Sequence, residues 1–265
     1  MTDLEVAIAA AQAGAGVLRG RYGGALTRYA KSDRDFATEA DLEAEAAIQA
    51  VISAACPGDA FEGEERGLTG DAAARRTWLV DPLCGTLNFA AQTPLLCVNV
   101  ALREDGAITA AAVADPIAAT LWWTDGDAAW ARSDGDGDAR VVPSPVSRLV
   151  DVDFDGRPEW AAGLVSAPAF ANRFGIRVSS TSLALVWVAT GQRAGYVFGG
   201  DVRGSVHFVA GVALCRAAGC VVTTLSGRAP DAAGDGLVAA ADAADHAALL
   251  DAISGSPAPG SAHPV

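Results

Sequence analysis

The chain has 265 residues, 51% of them hydrophobic, with a formal net charge of -13 and a pI near 4.5. That length and apolar share suffice to bury a sizeable core, as one large domain or two tightly joined halves. The acidic balance argues against nucleic acid or an anionic membrane surface as partner, because both repel an acidic protein.

Residues 3 to 20 carry Leu4, Ala7, Ile8, Ala11, Ala15 and Leu18 at helical spacing, and Tyr22-Gly23-Gly24 closes that helix. A second helix starts at Thr38-Glu-Ala-Asp41, where Thr with an acid three places on resembles a capping box, and runs to the Pro57-Gly58 break. Strands follow at Thr77 to Asp81, Leu95 to Arg103 and Ile108 to Asp115, with a short helix over Thr86 to Ala91 and a turn at Glu104-Asp-Gly106. The last two strands should form an antiparallel hairpin, which returns Asp115 to the sheet end where Leu95 begins.

Ser133 to Asp138 alternates Asp and Gly. It lacks the downstream bidentate Glu of a calcium loop and reads as a solvated turn. Pro143-Ser-Pro145 marks the expected seam. Beyond it, helices over Ser180 to Thr190, Val206 to Ala218 and Ala241 to Ile253 alternate with strands at Gly195 to Phe198 and Val221 to Thr224, as in a layered α/β domain. The expected organisation is an N-terminal α+β part over 1-142, a C-terminal α/β part over 143-253 that carries His207, and a disordered tail over 254-265.

The five cysteines have no Cys-x-x-Cys spacing, so neither a disulfide framework nor a structural zinc site is signalled. Cys56, Cys97, Cys215 and Cys220 read as buried thiols. Cys84 differs, because it lies in a Gly-containing turn between a strand and a helix. His246 and His263 read as surface residues. No stretch of eighteen apolar residues occurs and the N-terminus lacks a basic leader, so a soluble cytoplasmic protein is expected.

Several landmarks occur in order: Asp35-x-x-Thr38-x-x-Asp41, Gly63-Glu64-Glu65, Asp81-Pro82-Leu83-x-Gly85-Thr86-x-Asn88-Phe89, Val113-Ala-Asp115-Pro116, and Ala210-Gly211 running on to Gly219. Together they resemble the inositol monophosphatase superfamily over nearly the whole chain. The resemblance implies a layered α-β-α-β-α sandwich of two tightly joined subdomains and magnesium-dependent hydrolysis of small phosphate monoesters. It also implies that Glu64, Asp81 and the Leu83 carbonyl hold one ion, while Thr86 with Asp41 orients water. A second ion would use Asp81 and two further aspartates, and those two positions hold Cys84 and His207 here. Ser179 and Val206 also stand where the family has Gly and Trp.

Thiol and imidazole remove the oxygen ligands that magnesium requires. Zinc would tolerate Asp81, Cys84 and His207 as an open three-ligand site. The alternative is metal-free chemistry. Cys84 at a helix start, beside an imidazole, is placed like a nucleophile, with the backbone N-H groups of Gly85 and Thr86 as an oxyanion hole and His207 as base. Asp115 is the first choice for the acid that orients His207, and Asp81 the second. A branch of the superfamily with Cys-His-Asp in this position is identified with Dieckmann cyclases, which release a β-ketoacyl-aminoacyl chain from a phosphopantetheine carrier protein as a tetramate-type ring. The leading expectation is therefore a cofactor-free cyclase acting on a carrier-bound acyl chain. The alternatives are a magnesium- or zinc-dependent phosphatase and an inactive binding relative. A homodimer is left open.

Overall fold

The computed structural model describes residues 1–30, 36–230 and 235–255, and these form two compact units. The first unit comprises Met1–Arg140 with Thr181–Leu183 and Val206–Leu214. In chain order it contains α1 (Asp3–Arg21), β1 (Arg28–Ala30), β2 (Phe36–Thr38), α2 (Glu39–Ala55), β3 (Ala60–Gly63), β4 (Gly67–Thr69), β5 (Arg76–Cys84), α3 (Thr86–Ala90), β6 (Cys97–Glu104), β7 (Ala107–Asp115), β8 (Thr120–Thr124), β9 (Ala129–Ser133) and β10 (Ala139–Arg140).

Both long helices begin on capping boxes. The Thr2 hydroxyl accepts from the Glu5 N-H while Glu5 returns to the Thr2 N-H, and Thr38 with Asp41 repeats the arrangement. Each box satisfies amide donors that an uncapped first turn would leave bare, which is why these helices start where they do. The eight-stranded sheet runs β10-β9-β8-β7-β6-β5-β3-β4. Trp78, Val80, Val98, Val100, Leu102, Ala112 and Trp123 alternate along its strands and bury against Val6, Ala10, Leu18, Ala44 and Ile48 of α1 and α2. The small alanines let α1 and α2 lie close to each other and to the sheet.

The second unit holds β11 (Leu149–Asp153), α4 (Pro158–Ser166), α5 (Pro168–Ala171), β12 (Gly175–Val178), α6 (Leu183–Ala189), β13 (Gly195–Phe198), α7 (Val206–Ala218), β14 (Val221–Thr223), β15 (Leu237–Ala240) and α8 (Ala243–Ser254), except that Leu183 of α6 and Val206–Leu214, most of α7, cluster with the first unit. Its sheet runs β12-β11-β13-β15-β14, parallel among the first three strands and antiparallel at β15. Val150, Val197 and Val238 pack with Trp160, Phe170 and Leu249 in its core.

The seam falls between Arg140 and Val141, beside the expected 142/143 boundary, but the division is not a single cut. His207 belongs to the first unit, not to the C-terminal part, because the opening turns of α7 pack there. Asp35, His263 and all but the start of the expected tail lie outside the described residues. Among the described residues, no helix is long and apolar enough to cross a membrane.

Candidate metal centre at the end of β5

A bulge builds the site. Asp81 pairs with Asn99 across β5 and β6, and the next partners are Cys84 and Cys97, so three steps along β5 match two along β6. Residues an odd number apart in a regular strand face opposite sides, and the extra residue at Pro82-Leu83 cancels that alternation. Asp81 and Cys84 consequently share a face. Gly85 then turns the chain into α3 at φ 100°, where a Cβ would lie 2.7 Å from the Leu95 carbonyl oxygen, so the turn needs glycine.

The first turn of α7 brings His207 to the same face. Its Nδ1 lies 2.7 Å from Asp81 Oδ2 and 4.0 Å from Glu64 Oε2. One ligand atom each from Asp81, Cys84 and His207 lie within 4.8 Å of one another. Burial disfavours a charged imidazole, but Asp81, Glu64 and Cys84 outweigh it and raise His207 to about 10. Burial likewise would raise the Asp81 carboxyl, yet the His207 imidazolium and the Leu83 N-H, 3.1 Å from Oδ1, hold it below the usual range.

Cys84 does not become the activated thiolate expected from its helix start. Its hydrogen bond with Cys97, its burial and the Asp81 charge push the thiol well above its usual value, and His207 only partly opposes them. α3 is also just five residues long. The Cys84 sulfur instead accepts the Ser182 N-H at 3.1 Å. Gly85 and Thr86 follow the thiol directly in sequence, but the donor found on the sulfur is Ser182.

Asp115 is not the partner of His207. Its Oδ1 accepts the N-H groups of Ile117 and Ala118, both at 2.8 Å, as β7 gives way to the turn after Pro116. The second-choice acid, Asp81, occupies the position at the imidazole. Thr86 donates to Asp41 Oδ1 at 2.9 Å and lies 3.2 Å from the Leu83 carbonyl. Burial raises the Asp41 carboxyl against the hydrogen bonds from Thr38 and Thr86. Cys97, Cys215 and Cys220 are buried as expected, whereas Cys56 is half-buried. His246 is also half-buried, with Nε2 2.8 Å from the Thr223 hydroxyl, and Ser179 donates to Asp151.

Two further site residues carry only weak sequence signals. Asn99 donates to Ser182 Oγ at 2.8 Å and lies 3.5 Å from Asp81 Oδ2. Ser182 lies against Cys97 and supplies the N-H to Cys84. A lone amide inside the apolar run Cys97-Val-Asn-Val-Ala-Leu102 was the available signal for Asn99. Ser182 had only its place in a run of hydroxyl residues.

The donors fall into two chemical classes. Glu64, Asp81 and the Leu83 carbonyl are hard oxygen ligands with anionic charge, which fits magnesium. Asp81, Cys84 and His207 form a mixed oxygen, sulfur and nitrogen set, which does not.

Comparison with known proteins agrees with this frame. Residues 2–257 match the inositol monophosphatase family. An inositol-1-monophosphatase of Mesorhizobium japonicum is 33% identical over 232 residues, 84% of each chain. A Caulobacter vibrioides inositol-1-monophosphatase is 32% identical over 206 residues, covering 74% of this chain and 78% of its own. A histidinol-phosphatase of Mycobacterium tuberculosis is 32% identical over 163 residues, 60% of this chain and 62% of its own. Among solved structures, a Thermotoga maritima IMPase superposes with a TM-score of 0.82 at 20% identity, covering 96% of this chain and 97% of its own. The SuhB protein of Bartonella henselae gives 0.80 at 24% identity, covering 96% and 99%. The layered α/β sandwich expected from the sequence is therefore the fold.

Proposed function

The chain belongs to the inositol monophosphatase family, and from that premise we propose that it is a metal-dependent hydrolase of small phosphate monoesters with a rebuilt second metal position. The carrying observation is the Thr86 to Asp41 hydrogen bond at 2.9 Å, set beside the Leu83 carbonyl. With its proton committed to Asp41, the Thr86 oxygen presents lone pairs that accept from a water and orient it. Glu64, Asp81 and the Leu83 carbonyl would hold a magnesium ion. When bound, such an ion supplies Lewis acidity toward a phosphoryl oxygen and a lowered pKa for water. Water oxygen bonds to phosphorus, the ester oxygen leaves as the alcohol, and inorganic phosphate is the second product.

The test is phosphate release from inositol monophosphate, histidinol phosphate and a generic aryl phosphate, before and after chelation. Release that collapses in chelator and returns with magnesium supports the reading. Release indifferent to chelator contradicts it.

A specific observation favours a second reading. His207 Nδ1 bonded to Asp81, with a thiol nearby, is the pattern of a Cys-His-Asp acyl enzyme. In that reading Cys84 takes a β-ketoacyl-aminoacyl group from a carrier-protein thioester, and Dieckmann cyclisation releases a tetramate-type ring. The thiol pKa runs against it, because the hydrogen bond with Cys97, burial and then the Asp81 charge all disfavour the Cys84 thiolate. The relatives, named for phosphate ester hydrolysis, also favour the first reading. Intact-mass analysis after incubation with an acyl thioester separates the two: a covalent gain lost in Cys84→Ala would establish the acyl enzyme.

A further inference from the structure

We infer that Asp81, Cys84 and His207 form an open three-ligand site that selects a cation of the zinc class over magnesium. The inference deepens the hydrolase reading, whose site it shares, and is tested by binding rather than turnover.

Three features carry it. The ligand types come first: carboxylate, thiolate and imidazole together suit zinc, whereas magnesium demands an oxygen shell. Geometry follows, since ligand atoms around a tetrahedral zinc lie roughly 3.3–3.8 Å apart given its usual bond lengths. The three atoms here already lie within 4.8 Å, and the His207 to Asp81 pair at 2.7 Å needs to open by less than the width of an atom. The bulge at Pro82-Leu83 is what makes this possible, because a regular strand would turn Cys84 away from Asp81.

Outer contacts supply the third feature. The Ser182 N-H points at the Cys84 sulfur, the Asn99 amide lies near Asp81 Oδ2, and Asn99 in turn donates to Ser182 Oγ. Such partners hold ligating atoms in place before an ion arrives. Three protein ligands leave a fourth position open to water or substrate, the pattern of a catalytic rather than a structural zinc site. Binding is an exchange without redox change: an oxygen-metal, a sulfur-metal and a nitrogen-metal bond form, the hydrogen bond between His207 and Asp81 breaks, and the protons held by the thiol and the ring nitrogen leave to solvent.

The test uses the full chain, stripped with chelator under reducing conditions and equilibrated with zinc, magnesium, or both. Bound metal is read by elemental analysis after gel filtration. Cobalt(II) replaces zinc in a parallel titration monitored for sulfur-to-cobalt charge-transfer absorption in the near ultraviolet. The expected result is about one zinc per chain retained in excess magnesium, as one three-ligand site implies, with a strong cobalt-thiolate band. Cys84→Ser should abolish the band, and His207→Ala should weaken zinc binding by on the order of a hundredfold or more, at least the scale of losing an outer partner. Cys56→Ser should change neither. The double variant Cys84→Asp with His207→Asp restores oxygen ligands, so it should bind magnesium and lose the band, with circular dichroism confirming its fold. Zinc displaced by equimolar magnesium, zinc binding unchanged by Cys84→Ser and His207→Ala, or cobalt bound without thiolate absorption would each overturn the assignment. Stoichiometric zinc in a protein that hydrolyses no phosphate ester would uphold this site and remove the hydrolase reading instead.

Discussion

His207 Nδ1 lies 2.7 Å from Asp81 Oδ2, so an imidazole from α7 answers a carboxylate on β5 that has no exposed surface. The pair is local in space and 126 residues apart in sequence. Because burial alone would lower the imidazole pKa, its rise to about 10 depends on Asp81 and the charges beside it. In the metal-free protein, NMR should find His207 still protonated at pH 8. Asp81→Asn should bring its titration down toward or below the ordinary histidine range. A raised folded-state pKa gives stability that is full below about 6.5 and lost as pH rises toward 10. An unchanged titration in Asp81→Asn would break the assigned pairing.

Thr86 and Asp41 should behave as a unit. Thr86→Val keeps the shape and removes the hydroxyl, so phosphate release should fall in kcat by on the order of a hundredfold or more, the scale of losing a proton-handling group. KM should change little. Asp41→Asn should fall by a similar factor, and the double variant should cost little beyond either single change. Multiplicative losses would mean that the two residues act separately.

Gly85→Ala tests the turn that carries Cys84 into α3. At φ 100°, with the Leu95 carbonyl 2.7 Å from the added carbon, the change should cost at least ~1–3 kcal/mol of stability, the range for a strained backbone. Zinc retention should fall with it, because Cys84 and Thr86 flank the turn. Thermal unfolding and metal analysis on one sample check both.

Asp153 in the second unit should make stability fall with rising pH. Burial foremost, and then the neighbouring Asp155 charge, raise its carboxyl to about 7, while the Tyr196 hydroxyl donates to it at 3.1 Å. Between about pH 4 and pH 7 the folded chain keeps a proton that the unfolded chain releases, so stability drops through that window. Asp153→Asn should therefore raise the unfolding temperature at pH 8 relative to wild type, with the gain vanishing near pH 4. Equal shifts at both pH values would contradict this.

The legible and illegible parts of the structure divide by physical range. Capping boxes, helical spacing and the β6-β7 hairpin are local patterns, so α1, α2, α3 and the strands from Thr77 to Asp115 follow directly from sequence. Cys84 and His207 were recognisable through a resemblance that spans the chain. The acid partner was not, because strand order suggested Asp115 while two backbone amides after Pro116 claim its carboxylate. The bulge that sets Cys84 beside Asp81 also left no sequence mark beyond Pro82. The thiol environment is illegible for the same reason: a helix start is a local signal, whereas Cys97 acts on Cys84 from the neighbouring strand and Asp81 reaches it only through the bulge in β5. Strands such as β8 and β15 carry little sequence signal, because Thr120–Thr124 and Leu237–Ala240 are short runs without a clear alternation.

The most direct measurement of the central claim compares inorganic phosphate release by wild-type protein and Glu64→Gln, each reconstituted with magnesium and zinc. On the proposed reading Glu64 would ligate the hard ion, whereas in a Cys84-His207-Asp81 acyl enzyme it would act only as a neighbouring charge on His207. A metal-dependent phosphatase predicts chelator-sensitive release in wild type and a loss of on the order of a hundredfold or more in Glu64→Gln, as removal of a metal ligand implies. Equal rates in the two proteins, or no release by either while both take up an acyl group at Cys84 in chelator, would contradict it.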